Sequence, residues 1–129
     1  MTVQRVFSGT EWEERVGYCR AIAIGSTIHV SGTVAVDDAG SIFAPHDAYA
    51  QTRRCLAIIE RALQQLGANC SHVVRTRMYV TDFEDWEAIA RAHREVFADC
   101  PPASTMVAVR ALIDPATVIE IEAEAVMPT

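Results

Sequence analysis

The chain has 129 residues and a formal net charge of -6, and it is 50% hydrophobic and 22% charged. This length predicts a single domain over residues 1–129 with a real core, and the composition is that of an ordinary globular protein. Proteins hold nucleic acid chiefly through cations on phosphates, so an acidic chain whose longest basic run is Arg53-Arg54 argues against that partner.

The cysteines and the start of the chain indicate a compartment. Cys19, Cys55, Cys70 and Cys100 are widely spaced and form no C-x-x-C pair, a pattern typical of reduced thiols rather than of a zinc or redox site. The first residues lack a basic-then-apolar leader, and no apolar run approaches the length of a membrane span. We therefore expect a cytoplasmic protein with no metal ion.

The first third of the chain predicts an edge strand at residues 3–7 and then a β-hairpin. Residues 18–24 and 27–31 are rich in strand-forming side chains, and Gly25-Ser26 between them favours a turn. Trp12 stands among three glutamates and is either a core plug or part of an interface, of which we favour the plug. Residues 37–40 have the composition of a turn.

A helical period begins at Asp47, which favours a helix start, and ends at Gly67, which favours a left-handed terminating residue. Apolar or small side chains recur between them at steps of three and four, which predicts an amphipathic helix. The stripe consists of Ala48, Thr52, Cys55, Ile59, Ala62, Leu63 and Leu66.

Residues 71–81 predict a long strand, followed by a second amphipathic helix for which Thr81 with Glu84 would form a capping box, or Asp82 the cap. The strand would place Val74, Thr76, Met78 and Val80 on one face and Arg75, Arg77 and Tyr79 on the other. The apolar stripe of the helix would be Trp86, Ile89, Ala90, His93, Val96 and Phe97. Pro101-Pro102 would stop this helix.

Two strands of antiparallel type are predicted at residues 101–112 and 118–126. In the second, Ile119, Ile121, Ala123 and Ala125 alternate with Glu120, Glu122 and Glu124. Three carboxylates on one strand face repel each other unless cations pair with them or water solvates them. This glutamate face is therefore either solvated or part of a polar pocket or subunit interface.

The order of strands and helices predicts an α+β fold, a mixed β-sheet with two helices packed on one face. The uncovered face would be half polar, because it would carry Arg75, Arg77 and the three glutamates mixed with apolar residues. Such a face in an otherwise hydrophobic chain suggests a subunit contact.

Several stretches together resemble the Rid family, also called YjgF, of reactive-intermediate deaminases. A Pro-Ala-x-Ser/Thr strand at residues 102–105 precedes an I-E-I-E-A strand at 119–123. Gly17-Tyr18, Val30-Ser31-Gly32, the helix near Asp47 with Gln51, and residues 73–82 fit in the expected order. The resemblance covers residues 17–126 and implies a chorismate-mutase-like fold that assembles as a homotrimer, with ligand clefts between subunits.

The resemblance also implies hydrolysis of imines and enamines of amino acids to keto acids and ammonia, with no metal or organic cofactor. Such chemistry needs a cation for the substrate carboxylate and a positioned water. The family's arginine is here Ser104, which cannot supply charge, and the family's cysteine two residues later is Met106. Ala90 stands where deaminases often carry a site-lining asparagine.

Three features of the family pattern are retained. Glu120 matches the glutamate that orients the attacking water, Tyr18 matches the aromatic residue that closes the cleft, and Ser31-Gly32 matches the strand end that lines it. The alternative for Glu120 is a structural role, answering Arg75 or Arg77 across strands.

Other side chains could replace the missing arginine. Arg20, Arg75, Arg77 and Arg110 are candidates, although each could instead be a surface or ion-pair arginine. Arg110 would share a strand face with Ser104 but lie roughly 20 Å along it, so Arg20, which points to the same side as Tyr18, is the better candidate. His93 is either a core or interface histidine or a neutral imidazole that offers acid, base or hydrogen bonds.

Two functions follow from these residues. The first is a divergent Rid-family hydrolase that deaminates or hydrates a small reactive metabolite, with Glu120 placing water and Tyr18, Ser104, Arg20 or His93 shaping the pocket. The second is a non-catalytic trimeric module that binds a small ligand or regulates a partner. A third, the ribonuclease activity attached to some family members, fits an acidic chain poorly.

Overall fold

The computed structural model describes residues 2–128 and shows a mixed sheet with two long helices. The strands are β1 Val3–Val6, β2 Ala21–Ile24, β3 Thr27–Val34, β4 Val73–Val80, β5 Ala103–Ala108 and β6 Ile119–Val126. The α-helices are α1 Glu11–Val16, α2 Ala48–Gln65 and α3 Trp86–Phe97, and short 3-10 turns cover Cys70–His72 and Phe83–Asp85. Within this range no helix is long and apolar enough to cross a membrane.

The sheet has the strand order β1-β2-β3-β6-β4-β5. Its neighbours pair antiparallel, except that β5 runs parallel to β4. The prediction of two closing strands of antiparallel type is therefore wrong for β5, since β4 lies between it and β6. A parallel neighbour requires a crossover, and α3 provides that crossover between β4 and β5.

The core lies between one face of the sheet and the two long helices. In β6, Ile119, Ile121, Ala123 and Ala125 are buried, whereas the three intervening glutamates are only half-buried. This alternation confirms the predicted two-faced strand. The helices cover the apolar face, as the period predicts, and the glutamate face is left open.

Helix α2 has the predicted boundaries and the predicted buried stripe. The Asp47 carboxylate caps it by accepting from the Ala50 N–H at 2.9 Å, and Gly67 beyond its end has φ 84°. Gln51, also buried, accepts from the Val118 N–H at 2.9 Å and donates to the Ala116 carbonyl at 2.9 Å. This amide ties the start of α2 to the loop that leads into β6.

The N-terminal region departs from the sequence prediction. Residues 11–16 form helix α1, where no helix was predicted, and Trp12 is 42% exposed rather than a core plug. Glu13 is the buried residue of this turn because its carboxylate accepts from the Ser8 N–H at 3.0 Å and from the Gly9 N–H at 3.3 Å. Trp12 instead lies beneath the Arg15 guanidinium, 4.9 Å away.

Three predictions for β4, α3 and the turn between them are also wrong. Val74 is exposed, not on the core face, because a register irregularity between Val73 and Arg75 shifts the alternation there. Trp86 is 53% exposed, so the apolar stripe of α3 begins at Ile89. The predicted capping box of Thr81 is absent; the 3-10 turn before α3 is capped by Asp82, which accepts from the Glu84 N–H at 2.9 Å.

Candidate functional site

Two of the three glutamates on the open face have hydrogen-bond or ion-pair partners within the chain. The Arg77 guanidinium donates to Glu124 Oε1 at 2.7 Å and lies 3.7 Å from Glu122 Oε1. The Tyr79 hydroxyl donates to Glu122 Oε1 at 2.6 Å, which raises the pKa of the tyrosine. The hydrogen bond from Arg77 lowers the pKa of Glu124. This part of the face is a network of satisfied ion pairs.

Glu120 differs from its two neighbours. Among residues 2–128 its carboxylate has no hydrogen-bond or ion-pair partner within bonding distance. Burial raises the pKa of Glu120, the charge of Glu122 adds to the rise, and the nearby positive charge of Arg20 opposes it. Arg77 is engaged by the other glutamates and Arg75 donates to Thr105 Oγ1 at 2.9 Å, so neither answers Glu120.

A β-bulge in β3 makes room for the Glu120 side chain. The pairing of β3 with β6 shifts register between Val30 and Thr33, which leaves Ser31 and Gly32 as the bulged residues. A side-chain carbon added at Gly32 would overlap Glu120 Oε2. Glycine is therefore required here for the close approach of a carboxylate to the backbone.

Arg20 is held against the same bulge. Its guanidinium donates to the Gly32 carbonyl at 2.6 Å, and its Nε is buried without a partner among the described residues. Ser31 completes the arrangement, since its N–H donates to the Arg20 carbonyl at 3.0 Å and its hydroxyl donates to the Cys19 carbonyl at 2.7 Å. Tyr18, two residues before Arg20, is half-buried. We call Tyr18, Arg20, Ser31, Gly32 and Glu120 the glutamate cluster.

Ser104 lies on the opposite, helix-covered face. It is in register with Thr76 of β4, whose hydroxyl donates to Ser104 Oγ at 2.8 Å. Thr76 is fully buried, and its oxygen is also 2.9 Å from His93 Nε2. The His93 ring packs 4.6 Å from the ring of Phe97, and burial lowers the pKa of His93.

The comparisons with known proteins identify the family. The sequence model described as Endoribonuclease L-PSP matches residues 9–127. The chain belongs to this family, the Rid (YjgF) family.

Relatives and solved structures agree with this membership. The Streptomyces coelicolor protein SCO2049 is 34% identical over 123 residues, which are 95% of this chain and 91% of that protein. The structure of Rv2704 from Mycobacterium tuberculosis, of the YjgF/YER057c/UK114 family, has TM-score 0.89 and 42% identity, covering 98% of this chain and 100% of that one. The E. coli YjgF structure has TM-score 0.82 and 25% identity, covering 96% and 94%. The predicted Rid-like α+β fold is confirmed.

The other two positions that differ from the Rid pattern are Met106, on the same strand as Ser104, and Ala90 on α3. Met106 is half-buried against the core and is in register with Met78. Ala90 lines a concavity of about 420 Å³ on α3, whose lining also includes Trp86 and Arg94. We call Thr76, Ala90, His93, Ser104 and Met106 the serine cluster.

Two residues of this region were missed by sequence reasoning as site candidates. Thr76 carries a hydroxyl at a core position of a strand whose neighbouring core positions are apolar, and that exception was the available signal. Arg94 lies four residues after Ala90, and this spacing places both on one helix face.

Arg110 follows the end of β5 at Ala108, so the prediction that it shares a strand face with Ser104 is wrong.

The structure therefore joins Arg20, Ser31, Gly32 and Glu120 in one place, and His93, Thr76 and Ser104 in another. Among the described residues no hydrogen bond joins the two places. In one chain of this Rid protein, the glutamate cluster lies on or beside the open face, whereas Ser104 and Thr76 point to the helix-covered face. Within residues 2–128 no group of three or more His, Cys, Asp or Glu side chains is placed to hold a metal ion. All four cysteines are free, and burial raises the pKa of the Cys55 thiol.

Proposed function

We propose that this protein is a Rid-family hydrolase that adds water to the C=N bond of a small imine, or of the imine tautomer of an enamine. The observation that carries the proposal is the state of Glu120. Its carboxylate is half-buried against the Gly32 bulge, and no described side chain satisfies it, although its two neighbours are fully paired. A half-buried carboxylate that has a raised pKa and is left without a partner is a candidate general base.

In the proposed reaction Glu120 orients a water molecule and accepts one of its protons as the oxygen attacks the imine carbon. The C=N π electrons move to nitrogen, which takes up the proton that Glu120 has accepted, so that a carbinolamine forms and the carboxylate is restored. The carbinolamine then loses ammonia as its hydroxyl proton returns to the carboxylate and on to the leaving nitrogen. The balance is one imine and one water consumed, with one carbonyl compound and one ammonia released. The raised pKa of Glu120 favours this proton transfer.

The proposal includes a homotrimer with the site in the cleft between two copies. A single chain keeps the two clusters on opposite faces, so a second copy is needed to bring a serine cluster to a glutamate cluster. The exposed edge strand β5, which carries Ser104, and the half-polar open face support such a contact. A mass of three chains by light scattering is the expected result, and a monomer would contradict the shared cleft.

The test measures ammonia release when the purified protein meets a panel of freshly generated enamines. The panel pairs a carboxylate, 2-aminoacrylate, with its uncharged primary amide, 2-aminoacrylamide. Glu120→Gln should reduce turnover of the accepted substrate roughly 100-fold or more, because the proton acceptor is removed while the shape is kept. The matched control is Glu122→Gln, on the same strand face, which should keep most of the activity. Equal losses in both variants would remove Glu120 from the mechanism.

A second candidate function is favoured by Ser104. A module that binds a small ligand without turnover needs no carboxylate-binding arginine, and none of the described cations contacts the Ser104 hydroxyl. This function predicts saturable binding of a keto acid or its amide and no ammonia from any member of the panel. Turnover of 2-aminoacrylate that is present only in Ser104→Arg would show that the scaffold is competent and that the natural ligand is different.

A further inference from the structure

A continuous hydrogen-bonded chain joins a half-buried imidazole to the exposed edge strand. It runs from His93 Nε2 to Thr76 Oγ1 over 2.9 Å, and from Thr76 Oγ1 to Ser104 Oγ over 2.8 Å. Its middle member is fully buried, so water cannot substitute for either bond. The Rid chemistry proposed above assigns no step to His93 or Thr76.

The direction of this hydrogen-bonded series depends on which ring nitrogen of His93 carries the proton. A proton on Nδ1 would make His93 Nε2 the acceptor of the Thr76 hydroxyl and reverse both bonds. With the proton on Nε2, His93 donates to Thr76, and the single Thr76 proton is donated to Ser104. Ser104 thus receives a hydrogen bond on a lone pair and keeps its own proton free. Successive hydroxyl bonds polarise one another, and the terminal proton becomes a stronger donor.

We propose that His93, acting through Thr76, fixes the Ser104 hydroxyl as a hydrogen-bond donor, and that the site therefore takes an uncharged carbonyl group in place of a carboxylate. The ligand class is a small amide, ester or aldehyde whose carbonyl oxygen accepts from Ser104. His93 and Thr76 are positioning residues in this arrangement. The inference rests on the proposed function in placing Ser104 at the ligand.

The charges around the two clusters support an uncharged ligand. No described cation takes part in the hydrogen bonds of His93, Thr76 and Ser104. The two arginines that flank Thr76 in β4 are engaged on the other face, where Arg75 donates to Thr105 and Arg77 donates to Glu124. A carboxylate buried in a cleft without a cation costs far more free energy than a carbonyl, which needs only a donor. The carboxylate of Glu120, which the proposed trimer brings to the same cleft, would add repulsion.

The direction of the chain can be measured without any activity. The 15N chemical shifts of the His93 ring at neutral pH should report the Nε2–H tautomer. Thr76→Val, which keeps the shape and removes the hydroxyl, should shift the ring toward a mixture of tautomers, and Thr76→Ser should restore the wild-type signal. An Nδ1–H tautomer in the wild type would make Ser104 an acceptor and would overturn the proposal.

The ligand class is tested by binding of a matched pair, pyruvamide and pyruvate, followed by calorimetry. The wild type should bind pyruvamide more tightly, and Ser104→Arg should reverse this preference. Thr76→Val should weaken pyruvamide binding roughly five- to tenfold, the worth of one hydrogen bond, while Thr76→Ser should leave it near the wild-type value. Equal affinities of the wild type and Thr76→Val for pyruvamide would show that the hydrogen bonds from His93 through Thr76 do not act on the ligand.

Arg94 provides the alternative outcome, because it lines the concavity that also includes Ala90. Tighter binding of pyruvate than of pyruvamide, lost in Arg94→Gln, would identify Arg94 as a replacement cation and overturn the uncharged ligand class. These measurements use reaction products and need no turnover. Absence of ammonia release with pyruvamide binding intact would therefore refute the proposed hydrolysis and leave the inference standing.

Discussion

The two faces of β6 differ in how completely a single chain satisfies their side chains. On the helix-covered face, Ile119, Ile121 and Ala125 have no exposed surface and fill a core that one chain completes by itself. On the open face the alternate residues are glutamates that remain half-buried, two of them paired and one unpaired. One face is finished by folding, whereas the other has contacts still available to water, a ligand or another copy.

This difference separates stability from function along the chain. Burial of apolar side chains contributes about 25 cal/mol per Å² and depends on close packing, whereas exposed ion pairs contribute about 0–1 kcal/mol each. Substitutions on the covered face should therefore act on folding, and substitutions on the open face should act mainly on the site. Single substitutions on the two faces test this division.

The largest effect is expected from Ile121→Ala on the covered face. The side chain is fully buried between the sheet and helices, and its removal leaves a cavity in a packed core. We expect a loss of about 2–5 kcal/mol in the free energy of unfolding. Urea denaturation at fixed protein concentration measures it, since assembly would make the stability depend on concentration.

The control for this prediction is Glu122→Gln, next to Ile121 on the same strand but on the open face. This variant should unfold close to the wild type. A loss below about 1 kcal/mol for Ile121→Ala, or a larger loss for Glu122→Gln, would contradict the division between the faces.

Much of the fold follows from periodicity in the sequence. The period-2 alternation in β6 and the helical stripe of α2 each encode which side is buried, and both are found as predicted. Periodicity does not encode strand pairing, so the parallel edge position of β5 was beyond it. Periodicity also predicted burial wrongly at single positions. Trp12 and Trp86 are apolar but exposed, and Val74 is exposed beside a register irregularity.

The site was predictable only where sequence neighbours are spatial neighbours. Arg20, Ser31 and Gly32 lie on paired strands β2 and β3 or close to them, and the resemblance to the Rid family had already linked the last two with Glu120. The carboxylate approach to Gly32 depends on a bulge. A glycine within a strand was the available signal, but it does not reveal which side chain approaches the backbone there. Thr76 was assigned to the core face correctly, but its bonds to His93 and Ser104 join three separate elements.

A smaller effect on stability, with a large effect on the site, is expected from Gly32→Ala. The added carbon would overlap Glu120 Oε2, the end of a flexible side chain that can swing away. The free energy of unfolding should therefore change by less than about 1 kcal/mol, while ammonia release falls as far as in Glu120→Gln. Thermal melting and the enamine assay measure the two quantities on the same sample.

A double variant separates displacement of Glu120 from other damage at the bulge. On a Glu120→Ala background, Gly32→Ala should have no further effect on turnover, because the carboxylate it displaces is already absent. Additive losses would mean that Gly32 serves the ligand directly, and a large loss of stability would mean that the open face is packed more tightly than a single chain requires.

The smallest effect on one chain is expected from Glu124→Gln, which removes the ion pair with Arg77. The folded pKa of Glu124 is depressed by the arginine, so the pair stabilises the protein above the unfolded pKa of about 4.3 and loses this contribution as the pH falls through the folded value. The difference in unfolding free energy between wild type and variant should be small at pH 7 and should disappear in acid. The control is Glu11→Gln, which breaks an exposed pair with Arg15 on α1. Glu124→Gln could instead lower the free energy of unfolding at pH 7 much more than this control does, by an amount that grows with protein concentration. The open face would then be buried between copies, and the contrast between the two faces would hold only for the single chain.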